Sequence, residues 1–168
     1  MAKTDLLFLG DSLTQFHDWS TFGLHHNAGI AGDTTDGLCH RLHYTLNKRP
    51  RTLVLQIGIN DLLQASNVQS IQTNFLTIFT QLQVLHKVII VSILPVTLMY
   101  SHEEVNARII LLNLFLKKSA EEYGFHFVDL YTVMHDDFGI KRSYTSDGVH
   151  LTPLGYSEFE RALAPLFL

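Results

Sequence analysis

The sequence has almost no cysteine. Cys39 stands alone, so no internal disulfide can form, which suits a reducing compartment. Long apolar runs are missing too: none approaches the roughly 20 residues that a membrane-crossing helix needs. The early apolar run, Leu6-Leu7-Phe8-Leu9, is too short for the core of a secretory signal. A chain that begins at Met1 is therefore expected in the cytoplasm, with no integral membrane segment. Basic clusters are limited to Lys48-Arg49-Pro50-Arg51 and the pairs Lys117-Lys118 and Lys141-Arg142, and the net charge is −4, so no nucleic-acid partner is expected. Internal repeats, low-complexity segments and linkers are lacking, and we expect one domain over residues 1–168.

What the chain does contain suits a globular domain. It is 46% hydrophobic and 17% charged, and 168 residues can bury a full core. Apolar runs fit strands buried on both faces at Thr4 to Leu9, Thr52 to Ile57, Val88 to Leu94 and Phe125 to Val128. A further short strand is expected around His25 to Ala28. Between them, helical spacing appears from Ser12 to about Trp19 and from Thr34 to Asn47, where Leu38, Leu42 and Leu46 share a face. The next helix is expected to start at a capping box of Ser66 and Gln69 and to bury Val68, Ile71, Phe75, Ile78, Phe79, Leu82 and Leu85. Another box, Ser101 and Glu104, opens a helix that buries Val105, Ile109, Leu112 and Leu116 and ends near Gly124. Asp129 to His150 reads as a long irregular stretch. Thr152 and Pro153 then begin a last helix. Strands alternate with helices and no hairpin signal is evident. This predicts an α/β fold, a parallel sheet with helices on both faces.

In such sheets, ligands bind beyond the C-terminal strand ends. Four groups of polar or glycine residues map there. Ser12 follows the first strand in Gly10-Asp11-Ser12-Leu13. Gly32 follows the second, Asn60 the third, and Asp147 and His150 precede the last helix. Each alone reads as an ordinary cap or turn residue. Two other chemistries compete. Asp36, His40 and His43 share a helix face, with His25 and His26 as further metal donors, but no tight Cys/His set accompanies them. Ser12-Leu13-Thr14 would suit a phosphate cradle, which leaves Asn60, Asp147 and His150 without a purpose.

Taken together, the constellation resembles the SGNH, or GDSL, hydrolases. Gly10-Asp11-Ser12-Leu13 is similar to the family's first block. Asn27-Ala28-Gly29-Ile30-Ala31-Gly32-Asp33-Thr34-Thr35 is similar to the second, Gly58-Ile59-Asn60-Asp61 to the third, and Asp147-Gly148-Val149-His150-Leu151-Thr152 to the last. The Gly-Asp-Thr-Thr run and Ile93-Leu94-Pro95-Val96 resemble the compact acylhydrolases of the platelet-activating-factor acetylhydrolase catalytic-subunit type. The resemblance implies a flavodoxin-like, three-layer α/β/α domain with five parallel strands in the order 2-1-3-4-5. It also implies a cofactor-free, metal-free serine esterase of small-molecule acyl esters. Ser12 would be the nucleophile, His150 the base and Asp147 its orienting partner. The oxyanion would meet the N–H groups of Ser12 and Gly32 and the amide of Asn60, with Asp11 and Asp33 supporting the turns. Phe16, Trp19, Leu98, Met99, Tyr100 and Tyr144 would surround a shallow pocket for short acyl groups. Acyl transfer would use the same site, and the leaving group, whether sugar, lysophospholipid or thiol, stays open, as does the oligomeric state.

Overall fold

The computed structural model describes residues 5–100 and 102–168. Five parallel strands form the central sheet: β1 (Leu6–Gly10), β2 (His25–Gly29), β3 (Thr52–Gln56), β4 (Lys87–Val91) and β5 (His126–Val128). Their order is β2-β1-β3-β4-β5, as anticipated. The register pairs Gly10 with Gly29 on one side and with Gln56 on the other, so three strands end level at one edge.

Side chains alternate along each strand and divide between two cores. Leu7, Leu9, Leu53, Leu55, Val88 and Ile90 face one layer. There they meet α2 (Thr35–Leu46), α4 (Val68–Leu82) and α5 (His102–Glu122), through Leu38, Leu42, Phe75, Phe79, Ile109 and Leu112. Leu6, Phe8, Val54, Ile89 and Val91 face the other layer. That layer contains α1 (Ser12–Gln15), α6 (Leu130–Met134) and α7 (Pro153–Leu163). A short α3 (Ile59–Leu63), which the apolar pattern did not signal, follows β3.

Several elements differ from the sequence expectations. The first helix is one turn, not two, and Trp19 lies beyond it. Its last carbonyls are taken by side chains: Trp19 Nε1 donates to the Thr14 oxygen, and the Asn27 amide donates to Thr14, Gln15 and His17. With those acceptors occupied, the helix gains nothing by continuing. The cap of α4 is Asn67, whose Oδ1 accepts the Gln69 N–H at 2.8 Å, and not Ser66. That helix closes at Leu82, short of Leu85. Ser101, the first residue of the other expected box, lies outside the described residues. Strand β4 stops at Val91, short of Leu94, and just beyond it the Asn113 side-chain amide takes both the N–H and the carbonyl of Ile93 that would have continued the ladder. The stretch after β5 is not irregular: α6 leads into a small antiparallel hairpin of β6 (His135–Asp136) and β7 (Gly139–Ile140). Asp136 Oδ1 accepts the Phe138 N–H inside its turn, an Asx signal that the hydrophobic pattern alone misses.

Candidate active site

The site is built at the level edge of the sheet. Strand β1 ends at Gly10, where an added Cβ would fall 2.1 Å from the Gln56 carbonyl oxygen, so only glycine lets the strands end this close together. Asp11 then caps the single turn of α1, its Oδ1 accepting the Leu13 N–H at 3.0 Å. Ser12 therefore sits at the first helical position and is nearly buried. One turn offers little macrodipole. It contributes oriented N–H groups instead.

Asp147 and His150 reach Ser12 from a tightly bound loop. The Gly148 N–H donates to Thr145 Oγ1, whose hydroxyl donates to the His150 carbonyl, and the Thr97 N–H donates to the Gly148 carbonyl. Thr152 caps α7 directly after, accepting from Gly155 N–H. The result is a continuous relay. Ser12 Oγ stands 3.0 Å from His150 Nε2, and His150 Nδ1 stands 2.6 Å from Asp147 Oδ2. With Nδ1–H donated to the carboxylate, Nε2 presents its lone pair to the serine hydroxyl. The other carboxylate oxygen, Oδ1, accepts the backbone N–H groups of Val149 and His150.

On the opposite side lies the loop after β2. The turn from Ile30 to Asp33 is closed by the Asp33 N–H on the Ile30 carbonyl, and Gly32 takes φ +80° at its third position, a backbone shape that favours glycine. The N–H groups of Ser12 and Gly32 have no acceptor among the described residues. Asn60, in the first turn of α3, donates one amide hydrogen to the Asp33 carbonyl at 2.9 Å, which leaves its second free. The predicted residues of four separate blocks thus meet at this edge.

The sequence profile of the GDSL-like Lipase/Acylhydrolase family matches residues 8–157. The chain belongs to this family. It is a carboxylic ester hydrolase of the GDSL type. No curated protein sequence matches it significantly. Solved structures of the same fold include a protein assigned as an acylhydrolase from Bacteroides fragilis, at 26% identity and TM-score 0.86, covering 96% of this chain and 85% of that one. A GDSL-like lipase from Bacteroides thetaiotaomicron is similar at 24% identity and TM-score 0.85, covering 98% and 88%. An acetyl-xylooligosaccharide esterase from Geobacillus is similar at 18% identity and TM-score 0.81, covering 96% and 93%.

The electrostatics of this GDSL-type site separate two aspartates. Partial burial pushes the Asp147 carboxyl up, but the hydrogen bonds from the His150 ring, the His150 N–H and the Val149 N–H outweigh it, bringing it down to about 2. Asp147 is therefore charged throughout the neutral range. Asp11 is wholly buried, and desolvation pushes it up to about 7 against the one N–H bond from Leu13. Its Oδ2 has no hydrogen-bond partner among the described residues.

Some contributors escaped the sequence reading. Asp61 is nearly buried and accepts both the N–H and the hydroxyl of Thr35, fastening α3 to the start of α2. Burial pushes its carboxyl up. Tyr156 of α7 donates its hydroxyl to the Leu13 carbonyl, tying the helix after His150 to the helix that carries Ser12. Burial, then the nearby Asp11, pushes that phenol up to about 12. Arg41, which no sequence motif marks, places its guanidinium beneath the Gly32 loop. Of the expected pocket residues, Trp19 does not belong: it is fully buried, stacked on Phe8 at 4.4 Å. Phe16 does lie beside the site, its ring 5.7 Å from that of His150. Met99 and Tyr100 are largely exposed. The Asp36, His40, His43 face binds its own helix: His40 Nδ1 donates to the Asp36 carbonyl, and His43 lies against Tyr44. No group of three His, Cys, Asp or Glu among the described residues is placed to share a metal ion.

Proposed function

We propose that the chain is a single SGNH domain and a serine esterase that cleaves esters of short acyl groups through an acyl-serine intermediate. The observation that carries this reading is the relay from Ser12 Oγ through the His150 ring to Asp147. A serine hydroxyl is a weak nucleophile at neutral pH, and His150 Nε2 takes its proton as Ser12 Oγ adds to the acyl carbon. Asp147 fixes the ring tautomer and stabilises the imidazolium that forms. The carbonyl oxygen becomes an oxyanion and is met by the N–H groups of Ser12 and Gly32 and by the second amide hydrogen of Asn60. His150 then returns its proton to the departing alkoxide, and a water activated by His150 releases the acid. Nothing in this sequence of steps calls for a cofactor.

The rim of the site supports short acyl groups. Phe16 stands next to His150, and Trp19, expected beside the pocket, is buried in the core instead. The Geobacillus esterase, named for acetylated oligosaccharides, supports an acetyl-sized group. Its catalytic mutants replace a serine, an aspartate and a histidine, with the latter two three positions apart, which is the spacing of Asp147 and His150. An acyl-length series of p-nitrophenyl esters tests the reading. Turnover should be greatest on acetate or butyrate and fall by decanoate. A steady rise toward decanoate would contradict the short-acyl assignment. A fluorophosphonate should label Ser12, seen by peptide mass.

A further inference from the structure

The Arg41 guanidinium spends its donors on backbone and carboxylate at the rear of the site. Nε donates to Asp33 Oδ2 at 2.8 Å, and Nη2 forms an ion pair with the same oxygen at 2.7 Å. Nη1 donates to the Ala28 carbonyl and Nη2 to the Gly10 carbonyl, each at 3.0 Å. These acceptors are not scattered. Gly10 is the end of β1, two residues before Ser12. Ala28 and Asp33 bracket the turn that carries the Gly32 N–H. Asp33 itself goes further: its backbone carbonyl accepts from the Asn60 amide, and its Oδ1 accepts the Thr34 N–H at the cap of α2. One side chain, about four-fifths buried, therefore fastens two of the segments that bear the oxyanion donors directly and reaches the third, that of Asn60, through Asp33.

We infer that Arg41 is the positioning residue of the oxyanion hole, acting through Asp33 and touching no substrate atom. The inference rests on the esterase reading above. Its physical content is that the three donors come from separate chain segments, and only their relative placement makes them a hole. Guanidinium suits this task because its planar fork serves several acceptors at once, where a lysine ammonium is a single point charge. A misplacement of about 1 Å at such a site can cost about a hundredfold in rate. Because the oxyanion exists only in the transition state, the loss falls on kcat and spares KM.

The test compares wild type, Arg41→Lys, Arg41→Ala and Ser12→Ala on p-nitrophenyl acetate. It adds the inhibition constant of an alkyl boronic acid. There Ser12 Oγ adds to boron, its proton passes to His150, and the tetrahedral anion places a B–O group in the hole. Arg41→Ala should lower kcat by about 10- to 100-fold, weaken boronate in parallel, and leave KM within about threefold. Added guanidinium should restore part of the activity. Arg41→Lys should show the same pattern to a smaller degree, and it answers the question if Arg41→Ala does not fold. A merely structural role would lower the melting temperature and leave kcat and boronate affinity intact in the folded fraction. That result, or a rise in KM alone, would overturn the inference. If Ser12→Ala is inactive and both Arg41 variants retain full kcat, only Arg41's role falls. If Ser12→Ala keeps wild-type turnover, the esterase reading itself falls.

Discussion

Two aspartates of the site respond oppositely to pH, and each yields a measurement. Asp11 is neutral in the folded protein up to about pH 7, whereas in the unfolded chain it ionises near its ordinary value of 3.8. Between those values the folded state holds the extra proton, so raising pH costs stability through this residue. Asp11→Asn removes that slope. The stability of the variant relative to wild type should rise between pH 4 and pH 7, with a ceiling of about 4 kcal/mol. Denaturant titrations at both pH values read it, and a parallel pair of curves would contradict the assignment. Asp147 behaves in the reverse sense. It is held down to about 2, so its contribution is present above its ordinary value and is lost as pH falls toward 2. In the proposed mechanism its role is supportive, since His150 carries the proton while Asp147 orients the ring and stabilises the imidazolium. Asp147→Ala should therefore retain roughly tenfold to a hundredfold more kcat than His150→Ala. Equal losses would mean that the ring cannot hold its tautomer without the carboxylate.

Elements were legible from sequence where burial alone decides them, and less so where side chains bind backbone. The apolar faces of α2, α4 and α5 follow helical spacing, and the structure buries Leu38, Leu42, Ile71, Phe75, Ile109 and Leu112 as that spacing requires. The shortening of α1 was not legible. It depends on Asn27, fifteen residues beyond Ser12, taking the carbonyls that would have continued the helix. The cap of α4 was one residue off for a related reason: Ser66 and Asn67 are both good caps, and the chain uses the one whose side chain reaches the Gln69 N–H. This gives a local test by denaturant midpoint. Asn67→Ala should cost about 1 kcal/mol, while Ser66→Ala should stay within about 0.5 kcal/mol. The candidate triad was visible as residue types at strand ends. Arg41, which reaches back from the second turn of α2, carries no motif of its own and emerges only from the three-dimensional arrangement.

At the scale of the whole molecule, the sheet order places the ends of β1, β2 and β3 side by side, and this positions Ser12, Gly32 and Asn60 before any side-chain detail is considered. The two cores pack against the sheet from either face. Phe79, fully buried and in edge contact with Phe75, Tyr123 and Phe125, is a keystone of one core, and Phe79→Ala should cost about 3–5 kcal/mol. A loss of that size is a large share of the roughly 5–15 kcal/mol that holds a domain together, so the melting temperature should fall steeply. No helix among the described residues is long and apolar enough to cross a membrane. The measurement that tests the central claim most directly is hydrolysis of p-nitrophenyl acetate by wild type and by Ser12→Ala, prepared side by side. The account predicts turnover by wild type and its loss, by at least about a thousandfold, in Ser12→Ala. Equal turnover by the two proteins would contradict Ser12 as the nucleophile, and with it the mechanism.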